Sequence, residues 1–176
     1  MRYIAFIRGI NVGGKNIIRM EDLSALFHRI GFTGVTTYIQ SGNVLFDSEA
    51  TLARQIEDQI ENHLKEKLIG EIPVIVRSVK AIENLIGQDP FRNYKDDPEL
   101  KLYVCFLKYR PEKIPPLPLI SLKDGLEIIQ INDLYTFVVS RKVKKMYGFP
   151  NNLVEKKLNV PATTRNWNTI LKMIKK

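Results

Sequence analysis

The chain has 176 residues, 44% hydrophobic and 26% charged, with a formal net charge of +8. Such a length buries one sizeable core or two small ones, and the composition is that of an ordinary globular protein. No apolar run approaches the ~20 residues of a membrane helix, the N-terminal apolar stretch lacks a leader's small-residue pattern, and Cys105 is the single cysteine, so the reading is a cytoplasmic protein with no membrane or disulfide role.

Residues 2–8 are a short apolar run between Arg2 and Arg8, which predicts a buried strand. The stretch RGINVGGKN that ends it matches G-x-x-x-x-G-K from Gly9 to Lys15, but Asn16 stands where a phosphate-cradling P-loop needs Ser or Thr. Met20, Leu23, Phe27 and Ile30 recur at helical spacing, with Gly31 as a stop. VTTYIQ and NVLFD then read as two strands turning at Ser41-Gly42. A helix over about 49–69, capped by Ser48, and the strand IPVIVR complete a strand, helix, strand, strand, helix, strand order, the signature of a ferredoxin-like unit.

The second half opens with a helix over 79–86 capped by Ser78, followed by the polar connector QDPFRNYKDDP. KLYVCFLK at 101–108 echoes MRYIAFIR at 1–8, and LEIIQI and LYTFVV form a second hairpin turning at Asn132-Asp133. The expectation is therefore an α+β protein of two ferredoxin-like halves, the second degenerate because 111–122 is proline-rich, with a helical C-terminal tail. Its divisions are a first half 1–78, a helix and linker 79–99, and a second half 100–176.

Function rests on two regions. Gly9, Gly13 and Gly14 permit close backbone approach, and parallel first and second strands would put the loop after strand one beside the turn after strand two. That would gather Arg8, Asn11, Gly13, Gly14 and Lys15 with Gln40, Ser41 and Asn43 as a site for a small anionic or phosphate-bearing ligand. The second region is the tail: residues 141–176 carry 10 Lys/Arg against the single Glu155, while 1–140 carry 17 against 18 acids. A helix to Leu158 with an Asn152–Glu155 capping box and a second helix capped by Thr163 would form a helix-turn-helix, offering Arg165, Asn168, Lys172 and Lys175 to nucleic acid. No nucleophile, general base, cofactor motif or metal set is expected, since His28 and His63 lack partners at ligand spacing and Cys105 lies in a strand.

RGINVGGKN, TYIQSGNVLFD and TTRNWNT, in that order in a chain of this size, resemble the bacterial domain of unknown function 1697 family. The resemblance implies an α+β fold of ferredoxin-like parts in a soluble bacterial protein, with no established reaction, cofactor or partner. Its signature positions would be Arg8 to Gly14, Tyr38 to Asn43 and Thr164 to Thr169. The proline-rich 111–122 departs from the regular helix such a pattern implies.

Overall fold

The computed structural model describes residues 1–175, which form a mixed α+β protein of two compact units, Met1–Asn84 and Leu85–Lys176. The first contains β1 (Arg2–Ile7), α1 (Met20–Ile30), β2 (Thr33–Tyr38), β3 (Asn43–Asp47), α2 (Ala53–Lys65), β4 (Val74–Ser78) and the start of α3 (Val79–Gly87). The second contains β5 (Lys101–Leu107), β6 (Leu119–Ser121), β7 (Leu126–Ile131), β8 (Tyr135–Ser140), the ribbon β9 (Lys142–Val143) and β10 (Met146–Tyr147), α4 (Asn151–Leu158), β11 (Ala162–Asn166) and α5 (Trp167–Ile174). Among the described residues no helix is long and apolar enough to cross a membrane.

In the first unit the sheet order is β2-β3-β1-β4, with β1 antiparallel to both neighbours. Alternation along β1 sends Tyr3, Ala5 and Ile7 into one core with Leu23 and Phe27 of α1 and Ile56 and Ile60 of α2. The helical spacing read for α1 is that buried stripe, and Gly31 ends the helix in left-handed backbone. Helix α2 is shorter than the expected 49–69. Ser48 does not cap it; the hydroxyl accepts from the Ala50 amide, 3.2 Å away, and closes a local turn instead.

The second unit has the sheet order β11-β5-β8-β7-β6, with β5 antiparallel to β11 and β8. Tyr103, Cys105 and Leu107 pack with Val154 and Leu158 of α4. Phe91, Phe137 and Trp167 meet edge to face at centroid distances of 5.3 to 6.1 Å. The proline-rich 111–122 forms no helix and ends in the short edge strand β6.

The tail corrects the expected helix-turn-helix. Between α4 and α5 the chain runs as β11, so Thr163 caps nothing and Arg165 is a buried strand residue. Consecutive β-branched threonines favour strand as well as they favour a cap, and pairing with β5 decides the outcome. The Asn152–Glu155 box does not form either: α4 starts after Pro150, and Glu155 Oε1 accepts from the Ala162 amide at 2.8 Å. The α5 cap is Asn166, whose side chain accepts from the Asn168 amide at 2.9 Å.

Cys105 is fully buried, with Sγ 3.2 Å from Thr164 Oγ1, and burial pushes its thiol up to about 12. The thiolate is the reactive form. Labelling by a thiol reagent at pH 8 is therefore expected to be at least ~10-fold slower in the native protein than in urea. Equal rates in the two conditions would contradict this burial.

Candidate functional site

The loop after β1 is a small hairpin. Val12 and Lys15 form an antiparallel bridge, the Lys15 amide donates to the Val12 carbonyl at 3.3 Å, and between them Gly13 and Gly14 have φ of 61° and 73°. Positive φ at both central residues is what a two-residue type I′ turn demands, which accounts for the glycine pair. The match to a P-loop is thus one of spelling. A P-loop leads directly into its helix, whereas here α1 begins only at Met20.

Two asparagines fix this hairpin. Asn11 Nδ2 donates to the carbonyls of Ile18 at 3.0 Å and Gln40 at 3.3 Å, while its Oδ1 accepts from the Ile18 amide at 2.8 Å. Asn16 Oδ1 accepts from the Ile69 amide at 3.1 Å. At the neighbouring turn Asn43 is fully buried, and its Nδ2 donates to the Tyr38 carbonyl at 3.2 Å and to Ser41 Oγ at 2.8 Å. Asn11 and Asn43, expected to contact a ligand, both make hydrogen bonds to backbone within the protein.

The topology does bring the loop and the β2–β3 turn together. The Ile7 amide donates to the Gly42 carbonyl at 2.8 Å, and Asn11 reaches Gln40. A cleft of about 390 Å³ lies there, and Asn11, Gly14 and Gln40 line it. Gly13 and Lys15 are exposed beside it at the hairpin tip, and Arg8 is half-buried at its base. Arg8, Gly13, Lys15, Ser41 and Asn43 are not among the lining residues. Ile17, Arg19 and Glu21, missed in the sequence, also line the cleft. Arg19 Nε lies 3.0 Å from Asp22 Oδ2; this hydrogen bond raises the guanidinium and holds the Asp22 carboxyl below the usual carboxylate range. An i,i+3 pair astride the helix start was the signal available for that end of the cleft. The chemistry on offer is recognition by exposed amides, a lysine and an amide side chain. Among the described residues no group of His, Cys, Asp and Glu is arranged to hold a metal ion.

The tail candidates do not form one face. Arg165 is 8% exposed, its Nη1 donates to Thr163 Oγ1 and the Thr164 carbonyl, both at 2.8 Å, and burial draws its guanidinium down to about 10. Asn168, Lys172 and Lys175 are exposed on or just beyond α5.

Among solved structures, that of a conserved bacterial protein from Streptococcus pneumoniae is similar over 99% of this chain and 97% of its own, with 24% identity and a TM-score of 0.66, a likeness of fold. No curated protein matches the chain significantly. The match to a family of proteins of unknown function spans residues 1–135, taking in both motifs of the loop and turn and stopping short of TTRNWNT. With most of its length matched, the chain belongs to the DUF1697 family.

Proposed function

We propose that the loop end of the first sheet binds a small anionic or phosphate-bearing ligand. The observation that carries this reading is the exposed Gly13-Gly14 tip beside Lys15, a lysine with no acidic partner among the described residues. Neither glycine amide has an acceptor among the described residues, and a Cβ at either position would meet nothing within 4 Å. Backbone amides at a position that a ligand can approach closely, next to a cation, favour oxyanions. Glu21 at the start of α1 disfavours an anion beside it, so the charged group belongs at Gly14 and Lys15, with Gln40 orienting the remainder.

Calorimetric titration with inorganic phosphate and a panel of phosphosugars and nucleotides tests the reading. Lys15→Ala is expected to weaken binding by about 1.5 to 3 kcal/mol, the worth of one charge-assisted hydrogen bond. Affinity is expected to be independent of Mg²⁺, because Asn16 stands in place of the metal-coordinating hydroxyl of a P-loop and the loop does not lead into a helix. Mg²⁺-dependent nucleotide binding, or an unchanged affinity in Lys15→Ala, would sink it.

We also infer that the two units are ferredoxin-like copies of one ancestral unit. Support comes from the matching orders β2-β3-β1-β4 and β7-β8-β5-β11, with β6 in place of the first helix. The registers support it too: Ile4 faces Arg77 and Tyr3 faces Ser78, while Val104 faces Arg165 and Tyr103 faces Asn166. Arg77 and Arg165 are both buried, and each donates to the carbonyl just before it. Ser78 and Asn166 then each accept an amide from the first turn of the following helix. An experimental structure with Arg165 turned outward from β11 would remove the strongest part of this correspondence.

A further inference from the structure

The excess of positive charge after residue 140 is divided in the fold: Lys172 and Lys175 stand on or just beyond α5, and Lys156 and Lys157 of α4 face the turn after β6 across a groove. This groove, of about 540 Å³, is lined by Lys123, Lys156, Lys157 and Asn152, with Phe149 and Ile120 providing apolar surface. Phe149 is 61% exposed, and its ring meets that of Tyr103 edge to face at a centroid distance of 5.7 Å. An exposed aromatic ring beside cations offers a surface on which a base can stack.

The ribbon adds two more lysines. Its two-residue turn is Lys144-Lys145, with φ of 49° and 68°, where glycine or asparagine is the unstrained choice. Strain retained at an exposed tip directs attention to what the tip presents. The ends of the ribbon are tied to the turn that carries Lys123: the Arg141 amide donates to the Gly125 carbonyl at 2.8 Å, and Gly148 lies against the Asp124 carbonyl.

Nearby charges are sorted. Arg141 pairs with Glu127 at 2.6 Å and Lys142 with Glu99 at 3.2 Å. The acid in the groove, Asp124, accepts from Ser121 Oγ at 2.6 Å. Lys123, Lys144, Lys145, Lys156 and Lys157 have no acidic partner among the described residues. We infer that this groove binds single-stranded nucleic acid, with the lysines on phosphates and a base stacked on Phe149. Charge complementarity selects a polyanion, and the exposed ring selects one whose bases are unpaired. The site is separate from the loop of the first unit, so either can fail without the other.

The test is fluorescence anisotropy of labelled 15-nucleotide oligo-U and oligo-dT with the full chain. If all five lysines contact phosphates, affinity is expected to fall about 100-fold between 50 and 200 mM salt. Lys156→Ala with Lys157→Ala should flatten that dependence, as should Lys144→Ala with Lys145→Ala. Phe149→Ala should weaken binding about 10-fold at unchanged salt dependence. Phe149→Leu, which keeps packing on Tyr103, should weaken it similarly and guards against a folding defect. The inference is overturned by no binding at 50 mM salt, by equal affinity for a duplex of the same length, or by a salt dependence that Lys172→Ala with Lys175→Ala flattens and the groove variants do not. Sedimentation with phosphatidylglycerol vesicles without any oligonucleotide binding would also overturn it, in favour of a membrane surface.

Discussion

Glu57→Ala is expected to lower stability by about 3 to 5 kcal/mol, the cost of removing one partner from a buried ion pair, read as a drop in the urea midpoint at unchanged slope. The reason lies at the edge of the first sheet. Strand β4 is an edge strand, and its outward amides would otherwise lack acceptors. Helix α2 supplies them: Val76 donates to Glu57 Oε1 at 2.8 Å and Val74 to Glu61 Oε1 at 2.7 Å. Four residues of helix advance about 6 Å and two residues of strand about 6.6 Å, so glutamates at i and i+4 meet alternate amides. Glu57 carries a second task, because Arg77 Nη1 lies 3.6 Å from the same oxygen, with both side chains buried. Glu61→Ala, at a half-buried position, is expected to cost less than Glu57→Ala at its buried one. Replacing the pair together, Glu57→Leu with Arg77→Met, should recover only the part of the loss due to the unpaired Arg77, since the Val76 amide still lacks its acceptor. A Glu57→Ala protein within 1 kcal/mol of the parent would show that the helix does not seal this edge.

That edge illustrates what the sequence conceals. The stripe Met20, Leu23, Phe27 and Ile30 and the apolar runs of β1 and β5 were legible because periodicity and burial are local consequences of a single face meeting a core. Both hairpins were legible because turn residues sit between alternating runs. Glutamates at 57 and 61 on an amphipathic helix look like ordinary solvated residues until a strand edge is placed against them. β11 was missed because Thr-Thr serves equally as a helix cap or a strand, and its partner lies almost 60 residues away in β5, with Cys105 opposite Thr164.

The candidate site divides in the same way. The glycine pair announced a special backbone, and the hairpin explains it. Asn11 and Asn43 were read as ligand groups since a polar side chain beside a tight turn looks identical whether it satisfies backbone or faces a bound molecule. Their backbone partners come only with the fold: Gln40 lies 29 residues from Asn11. The lysine groove is hidden for a related reason. Positions 123, 156 and 157 belong to two separate elements, so only the fold makes them neighbours in one groove.

Gly42→Ala is expected to cost about 2 to 5 kcal/mol, whereas Gly13→Ala and Gly14→Ala cost about 1 to 2 kcal/mol each, and the contrast separates glycines kept for packing from glycines kept for access. All three have positive φ, so each alanine bears the left-handed penalty. Only at Gly42 is there a second obstacle. A Cβ there would stand 2.7 Å from the Ile7 carbonyl oxygen and 3.0 Å from the Ile10 side chain, and backbone oxygen cannot swing aside as a side chain can. Relieving the contact must stretch the bond from the Ile7 amide to the Gly42 carbonyl, which joins the turn to the exit of β1. At Gly13 and Gly14 the added methyl group meets open space and leaves the core untouched. It would nevertheless stand where a phosphate approaches the amides, so Gly14→Ala should weaken phosphate binding with a smaller fall in melting temperature than Gly42→Ala, and Gly42→Ala should lower the melting temperature further at any phosphate concentration. Thermal melts of the three variants, with and without phosphate, distinguish these outcomes. Equal melting temperatures for Gly42→Ala and Gly13→Ala would show that the turn is not packed against β1. An unaltered phosphate affinity in Gly14→Ala would leave Lys15 as the loop's sole contribution, acting as a point charge on an ordinary hairpin.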